Sequence, residues 1–98
     1  MLIHKEEYGA EVACALEYER ESDTLCSSEI GIDWYTDTLV NDIMMIREKG
    51  TCRVVGIGIS DVMLKDKDWW IKLDERDLLP IYVRELIDEW FASVEEIP

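Results

Sequence analysis

The sequence predicts an α+β fold: a small antiparallel sheet with an acidic outer face, and a C-terminal amphipathic helix packed on the other face. Two segments, "EVACALEYERESD" (11–23) and "SSEIGIDWYTD" (27–37), alternate apolar and acidic residues with a period of two, the signature of half-buried strands. The residues after Asp77 instead repeat apolar side chains at spacings of three and four, the signature of a helix. A hydrophobic fraction of 48% over 98 residues is enough for one modest core that offsets the ordering entropy, so residues 1–98 are read as a single domain.

In the first segment Val12, Cys14, Leu16 and Tyr18 fall on one face, and Glu11, Glu17, Glu19, Glu21 and Asp23 on the other. A helix would scatter those acids around its circumference, so a strand is preferred although Ala, Glu and Leu favour helix. "ESDTLCSS" supplies turn formers before the second segment, where Ile30, Ile32 and Trp34 are the apolar set and Glu29, Asp33 and Asp37 the acidic one. A long hairpin follows, with one apolar and one acidic face.

For residues 38–49 the sequence leaves two readings. Asp37 or Thr38 caps a short helix with Leu39, Ile43 and Ile46 inward and Gly50 as its stop, or "REKGT" is a hairpin turn pairing "IMMI" with "CRVVGIGI". The helix is favoured because "DIMMIR" does not alternate. Cys52 to Leu64 is rich in β-branched residues and reads as a strand, after which "KDKD" turns the chain into a further strand, "WWIKL". Asp77 then caps the last helix, with Pro80 in its first turn and Leu79, Val83, Leu86, Ile87, Trp90 and Val94 facing the sheet. On a strand, Trp69 and Trp70 must point to opposite faces. One is therefore core, and the other either lies under a loop or is an exposed anchor for a partner, the role given to Trp69.

The net charge is −13, and it is unevenly spread: residues 1–42 hold eleven acids and two bases, residues 43–84 seven and eight, and residues 85–98 five acids. Such a chain is repelled by nucleic acid and by anionic lipid and attracted to a basic protein surface. The start "MLIHKEEYGAEV" lacks the pattern of a signal peptide, and no apolar run approaches the roughly 20 residues of a membrane span, which predicts a cytoplasmic protein. Three widely spaced cysteines, Cys14, Cys26 and Cys52, suit free thiols. A homodimer would have to use the neutral middle segment or the helix, because an acidic face repels its own copy.

No catalytic, cofactor-binding or metal-ligating set emerges. "GIGIS" begins like a phosphate-binding glycine loop, but Asp61 stands where the third glycine belongs and would repel a phosphate. The glycines are read as room for close packing or a bulge. His4 has no short-spaced partner for zinc, and the acids near 66–77 lack the glycine and terminal glutamate of a calcium loop. A Cys–His nucleophile would need His4 to meet a distant thiol. The chain is expected not to be an enzyme.

The acids are the remaining signal. On strands, Glu17, Glu19, Glu21 and Asp23 would form a row at intervals of about 6.6–6.8 Å, with Glu29, Asp33 and Asp37 on the adjoining strand. Like charges so close destabilise a sheet. They either form a solvated face that keeps a small protein apart from its neighbours, or they imitate the charge line of a nucleic acid. In size, acidity and lack of a catalytic motif the chain resembles small phage-encoded inhibitors of defence nucleases, the anti-CRISPR and other DNA-mimic proteins. That resemblance implies a viral, stoichiometric inhibitor acting in the host cytoplasm. Its carboxylates would meet the arginines and lysines of a CRISPR effector or another nucleic-acid-binding complex, with Tyr35 or a tryptophan anchoring the rim. An immunity protein or antitoxin neutralising a basic partner would use the same acids without imitating phosphate.

Overall fold

The computed structural model describes residues 2–5, 12–40 and 42–95. Six strands, β1 (Leu2–Lys5), β2 (Val12–Glu19), β3 (Thr24–Glu29), β4 (Trp34–Val40), β5 (Ile43–Glu48) and β6 (Val54–Ser60), form one antiparallel sheet in the order β1-β2-β3-β6-β5-β4. Among the described residues two α-helices follow, α1 (Lys67–Lys72) and α2 (Ile81–Glu95), with short 3-10 helices at Val62–Leu64 and Asp74–Leu78. The expected α+β architecture, a sheet with the C-terminal helix on one face, is what the chain adopts.

The period of two in residues 12–19 does its work as expected. Cys14 and Leu16 are buried, Tyr18 packs at the margin of the core, and Glu17 and Glu19 alternate with them into solvent. α2 lies across β2 and β3 and buries Val83, Leu86, Ile87 and Phe91 against them. Ile57 and Ile59 of β6 continue this core beneath the centre of the sheet, with Val54 packed against it.

Four expectations need correction. The second acidic segment is not one strand: β3 ends at Glu29, the chain bends through 30–33 with Gly31 at φ 82°, and a separate strand begins at Trp34. Ile30 and Trp34 are therefore exposed rather than core. The described residues of 38–49 form no helix: β4 and β5 are paired strands there, and β5 turns back through Gly50, at φ 92°, into β6. The alternation of "DIMMIR" fails for a local reason. The register slips between Ile46 and Arg47, and both Met45 and Ile46 are buried on opposite faces. Gly56 sits opposite Ile46 in this strip, and a Cβ there would lie 2.4 Å from the Ser27 carbonyl oxygen, so the glycine permits the close approach of β3.

"WWIKL" is a helix rather than a strand. The Asp66 side chain accepts the Trp69 amide at 2.8 Å, which caps the first turn of α1. Adjacent residues on a helix are only about 100° apart, so both tryptophans turn toward the core. Trp70 is fully buried, stacks on Phe91 and donates its indole N–H to Asp88. Trp69 is half-buried against the core, with the Lys65 ammonium 5.2 Å from its ring centroid. Finally, Asp77 does not cap α2. Leu79 is extended (φ −81°, ψ 147°), as a residue before proline prefers, and the Pro80 carbonyl accepts the amides of Val83 and Arg84.

Candidate protein-interaction surface

The nine residues singled out by sequence do not converge on one surface. Glu17 and Glu19 project from the outer face of β2, and Glu21 is exposed in the turn that follows. Among the described residues no basic side chain pairs with any of the three. These three carboxylates are the part of the predicted row that the fold keeps together.

Asp23 ends that turn in a structural role. Its backbone is left-handed (φ 51°), a conformation Asp tolerates, and its carboxylate accepts the Tyr18 hydroxyl at 2.7 Å and the Met63 amide at 3.2 Å. The clamp joins the β2–β3 turn to the segment after β6. The Asp23 hydrogen bond, followed by burial and its negative charge, pushes the Tyr18 phenol above the usual range.

Glu29 points inward. It is only 7% exposed and is held bidentately by Arg53, at 3.0 and 2.8 Å, and by the Tyr82 hydroxyl, which donates to it. This cluster ties the end of β3 to the approach to β6 and the first turn of α2. Its carboxylate also holds the Arg53 guanidinium more firmly protonated than usual. Glu29 is thus occupied within the fold.

Asp33 lies in the loop before β4, exposed, and its carbonyl accepts the Lys49 amide. Asp37 is on β4, four strand spacings from β2, or roughly 19 Å across the sheet. It points to the helix-bearing face, in line with Leu16, Ser27, Ile57 and Met45, and pairs with Arg47 at 3.4 Å. Tyr35 is half-buried beside the β5–β6 hairpin. Its hydrogen bond with the Cys52 thiol, and then burial, push its phenol up. Neither Tyr35 nor Trp69 borders the β2 acids.

The outer face of β2 continues across the sheet by register. Glu17 stands opposite Cys26, which faces Gly58, which faces Met44. Burial and then the charges of Glu17 and Glu19 raise the Cys26 thiol above its usual range, so two strands feel the negative potential of this face.

Sequence reasoning missed the exposed apolar residues at the far edge. Trp34 is 52% exposed on β4, and Ile30 stands out of the loop before it. The signal was Gly31, a chain-bending residue inside an apparently continuous alternation. It also missed a shallow mixed-charge groove of about 390 Å³ between the helices, lined by Lys67, Ile71, Arg76, Asp88, Glu89 and Ala92. Arg76 lies over the Trp70 ring, 5.7 Å from its centroid, and 3.9 Å from Asp88, so these charges serve chiefly to join α1 to α2.

Among the described residues, no group of three or more His, Cys, Asp or Glu side chains is placed to hold a metal ion. Likewise, no helix among them is long and apolar enough to cross a membrane. The His4 side chain lies outside the described residues. No protein-family model, no curated protein and no solved structure matches the chain.

Proposed function

We propose that this chain is a non-catalytic binding protein that docks β2 and the β2–β3 turn onto a basic protein surface. The favoured target is the nucleic-acid groove of a defence complex such as a CRISPR effector, which the chain would inhibit by occupying it. One observation carries the reading: Glu17, Glu19 and Glu21 are exposed and unpaired among the described residues, the first two on a strand whose other face is packed under α2 and the third in the turn that follows it. A carboxylate row on a rigid support avoids the ordering cost that a flexible acidic tail would incur on binding. Opposed arginines and lysines would gain charge-assisted hydrogen bonds while the field speeds encounter.

A second reading has its own support. Glu29 is held inside the fold and Asp37 stands on a distant strand, so the aligned row is short. Three carboxylates suffice to neutralise a basic patch without tracing a phosphate backbone, as an immunity protein or antitoxin would.

The test is to capture partners of the tagged chain from lysate of the organism that carries the gene, with and without competing DNA and RNA. Displacement of a retained basic complex by nucleic acid, together with its loss in a Glu17→Lys, Glu19→Lys, Glu21→Lys variant, is the result expected of a mimic. A partner that ignores nucleic acid but is lost on charge reversal supports the second reading. A partner indifferent to both treatments eliminates the acidic row as the docking surface.

A further inference from the structure

We propose that the free edge of β4 is a self-association site, through which two copies of the chain join their sheets across a two-fold axis perpendicular to the sheet. β4 is the terminal strand, and no backbone hydrogen bond from the loops and turns among the described residues reaches it. From Trp34 to Thr38 it pairs with β5 in unbroken register, and the irregularity comes only between Thr38 and Val40. That stretch carries no lysine, proline or bulge, and its one charged side chain, Asp37, is paired with Arg47 of its own sheet. Its Trp34 side chain is 52% exposed.

Charge selects this edge and the second copy as its occupant. Residues 34–60, which hold β4, β5 and β6, contain three acids and three bases, whereas residues 12–33 contain six acids and one base. Joining two copies at β4 separates their β2 strands by nine strand spacings, roughly 43 Å along the combined sheet. Joining them at β1 would leave three spacings, roughly 14 Å, close to the Debye length of about 8–10 Å. Of the two sheet edges, the β4 edge is the one that lets so acidic a chain meet itself without opposing its acidic strands.

Charge also selects the register. A two-fold perpendicular to the sheet keeps each residue on its own face, so the axis passes through a residue position. Centred on Asp37, the pairing sets that carboxylate against its own copy, and centred on Tyr35 it sets Asp37 against the second copy's Asp33. Centred on Thr36, it sets Thr36 against Thr36, Trp34 against Thr38 and Tyr35 against Asp37, with no carboxylate opposite another. A Thr–Thr pair is among the favourable cross-strand neighbours. The resulting twelve-stranded sheet leaves both β2 faces open at its ends.

Sedimentation velocity of the full chain across a concentration series tests the proposal. The expected mass is twice the 11.5 kDa of the chain. Thr36→Lys, which puts two ammonium groups on the axis, should weaken association at least about tenfold. Its unfolding midpoint reports whether the monomer is intact. Thr36→Cys, in a chain with Cys26→Ser and Cys52→Ser, should form a disulfide-linked dimer on mild oxidation, and Asp33→Cys in the same background should not. A single-chain mass up to about 1 mM overturns the proposal. So does a dimer that Thr36→Lys leaves unchanged, since another surface would then hold it.

Discussion

The two halves of the sheet deal with charge in opposite ways. β2 and β3 lie under α2 and carry on the outer face the acids Glu17 and Glu19, unpaired among the described residues. β5 and β4 lie toward the other edge, where the acid Asp37 is paired with Arg47 and the Glu48 carboxylate is within reach of Arg53, at 3.6 Å. A strand can hold unneutralised like charges when its opposite face is tightly packed, because burial of each apolar side chain contributes about 1.5–3 kcal/mol. That exceeds the repulsion between neighbouring exposed carboxylates, about 0.6 kcal/mol in water at strand spacing. Asp37, Glu48 and the inward-pointing Glu29 are balanced by arginines, and the outer face of β2 is not, among the described residues.

If the helix is what lets β2 hold its acids, removing packing under it should produce the largest effect. Phe91 is buried between the Trp70 and Trp90 rings, at centroid distances of 6.0 and 5.1 Å. Phe91→Ala is expected to cost about 3–5 kcal/mol, read from urea unfolding. Hydrogen exchange sharpens the comparison: protection should fall first in β2 and β3 and later in β4 and β5. Equal loss in both halves would mean that α2 supports the whole sheet, and the contrast between the halves would have another cause.

The parts of this arrangement that could be read from sequence are those fixed by local periodicity. Cys14, Leu16, Glu17 and Glu19 fall where a period of two puts them, and Val83, Leu86 and Ile87 where a helical period does. The non-local pairings could not be read this way. Glu29 looks like one more acid in an alternating run until Arg53 and Tyr82, far along the chain, close around it. Strand order had the same difficulty. β3 pairs with β2 and β6, so Asp37 was carried away from the acids it accompanies in sequence. The tryptophans were misplaced because a run of five residues fits strand or helix, and the Asp66 cap that decides between them lies just outside the apolar pattern.

A smaller effect of the opposite sign separates the halves again. Replacing Glu17 and Glu19 together by Gln removes the like-charge repulsion along β2 and should stabilise the chain by about 0.3–0.6 kcal/mol at low salt. The gain should fade in about 1 M salt, where the Debye length is about 3 Å. Asp37→Asn loses the Arg47 pair and should be neutral or cost up to about 1 kcal/mol. Paired chemical denaturation at both salts measures the difference. Equal responses would show that the acids of the two halves are energetically alike, and the β2 row would lose its standing as a feature retained against stability.

The smallest expected effect is at Cys26, which reports the potential of the acidic half directly. Its thiol is raised first by burial and then by Glu17 and Glu19. Because the thiolate is the nucleophile, the Glu17→Gln, Glu19→Gln chain should alkylate at Cys26 faster than the parent near pH 8, with site-resolved mass spectrometry as the readout. The same shift has a sign in stability. Below an ordinary thiol value of about 8.5 both folded and unfolded chains hold the proton. As pH rises past it the unfolded chain loses its proton first, so stability falls until the raised folded value is passed. That fall should be shallower in the Gln variant, while the part due to burial remains. An unchanged alkylation rate would mean that water screens each carboxylate separately, so that no common field forms along β2 for a basic partner to meet.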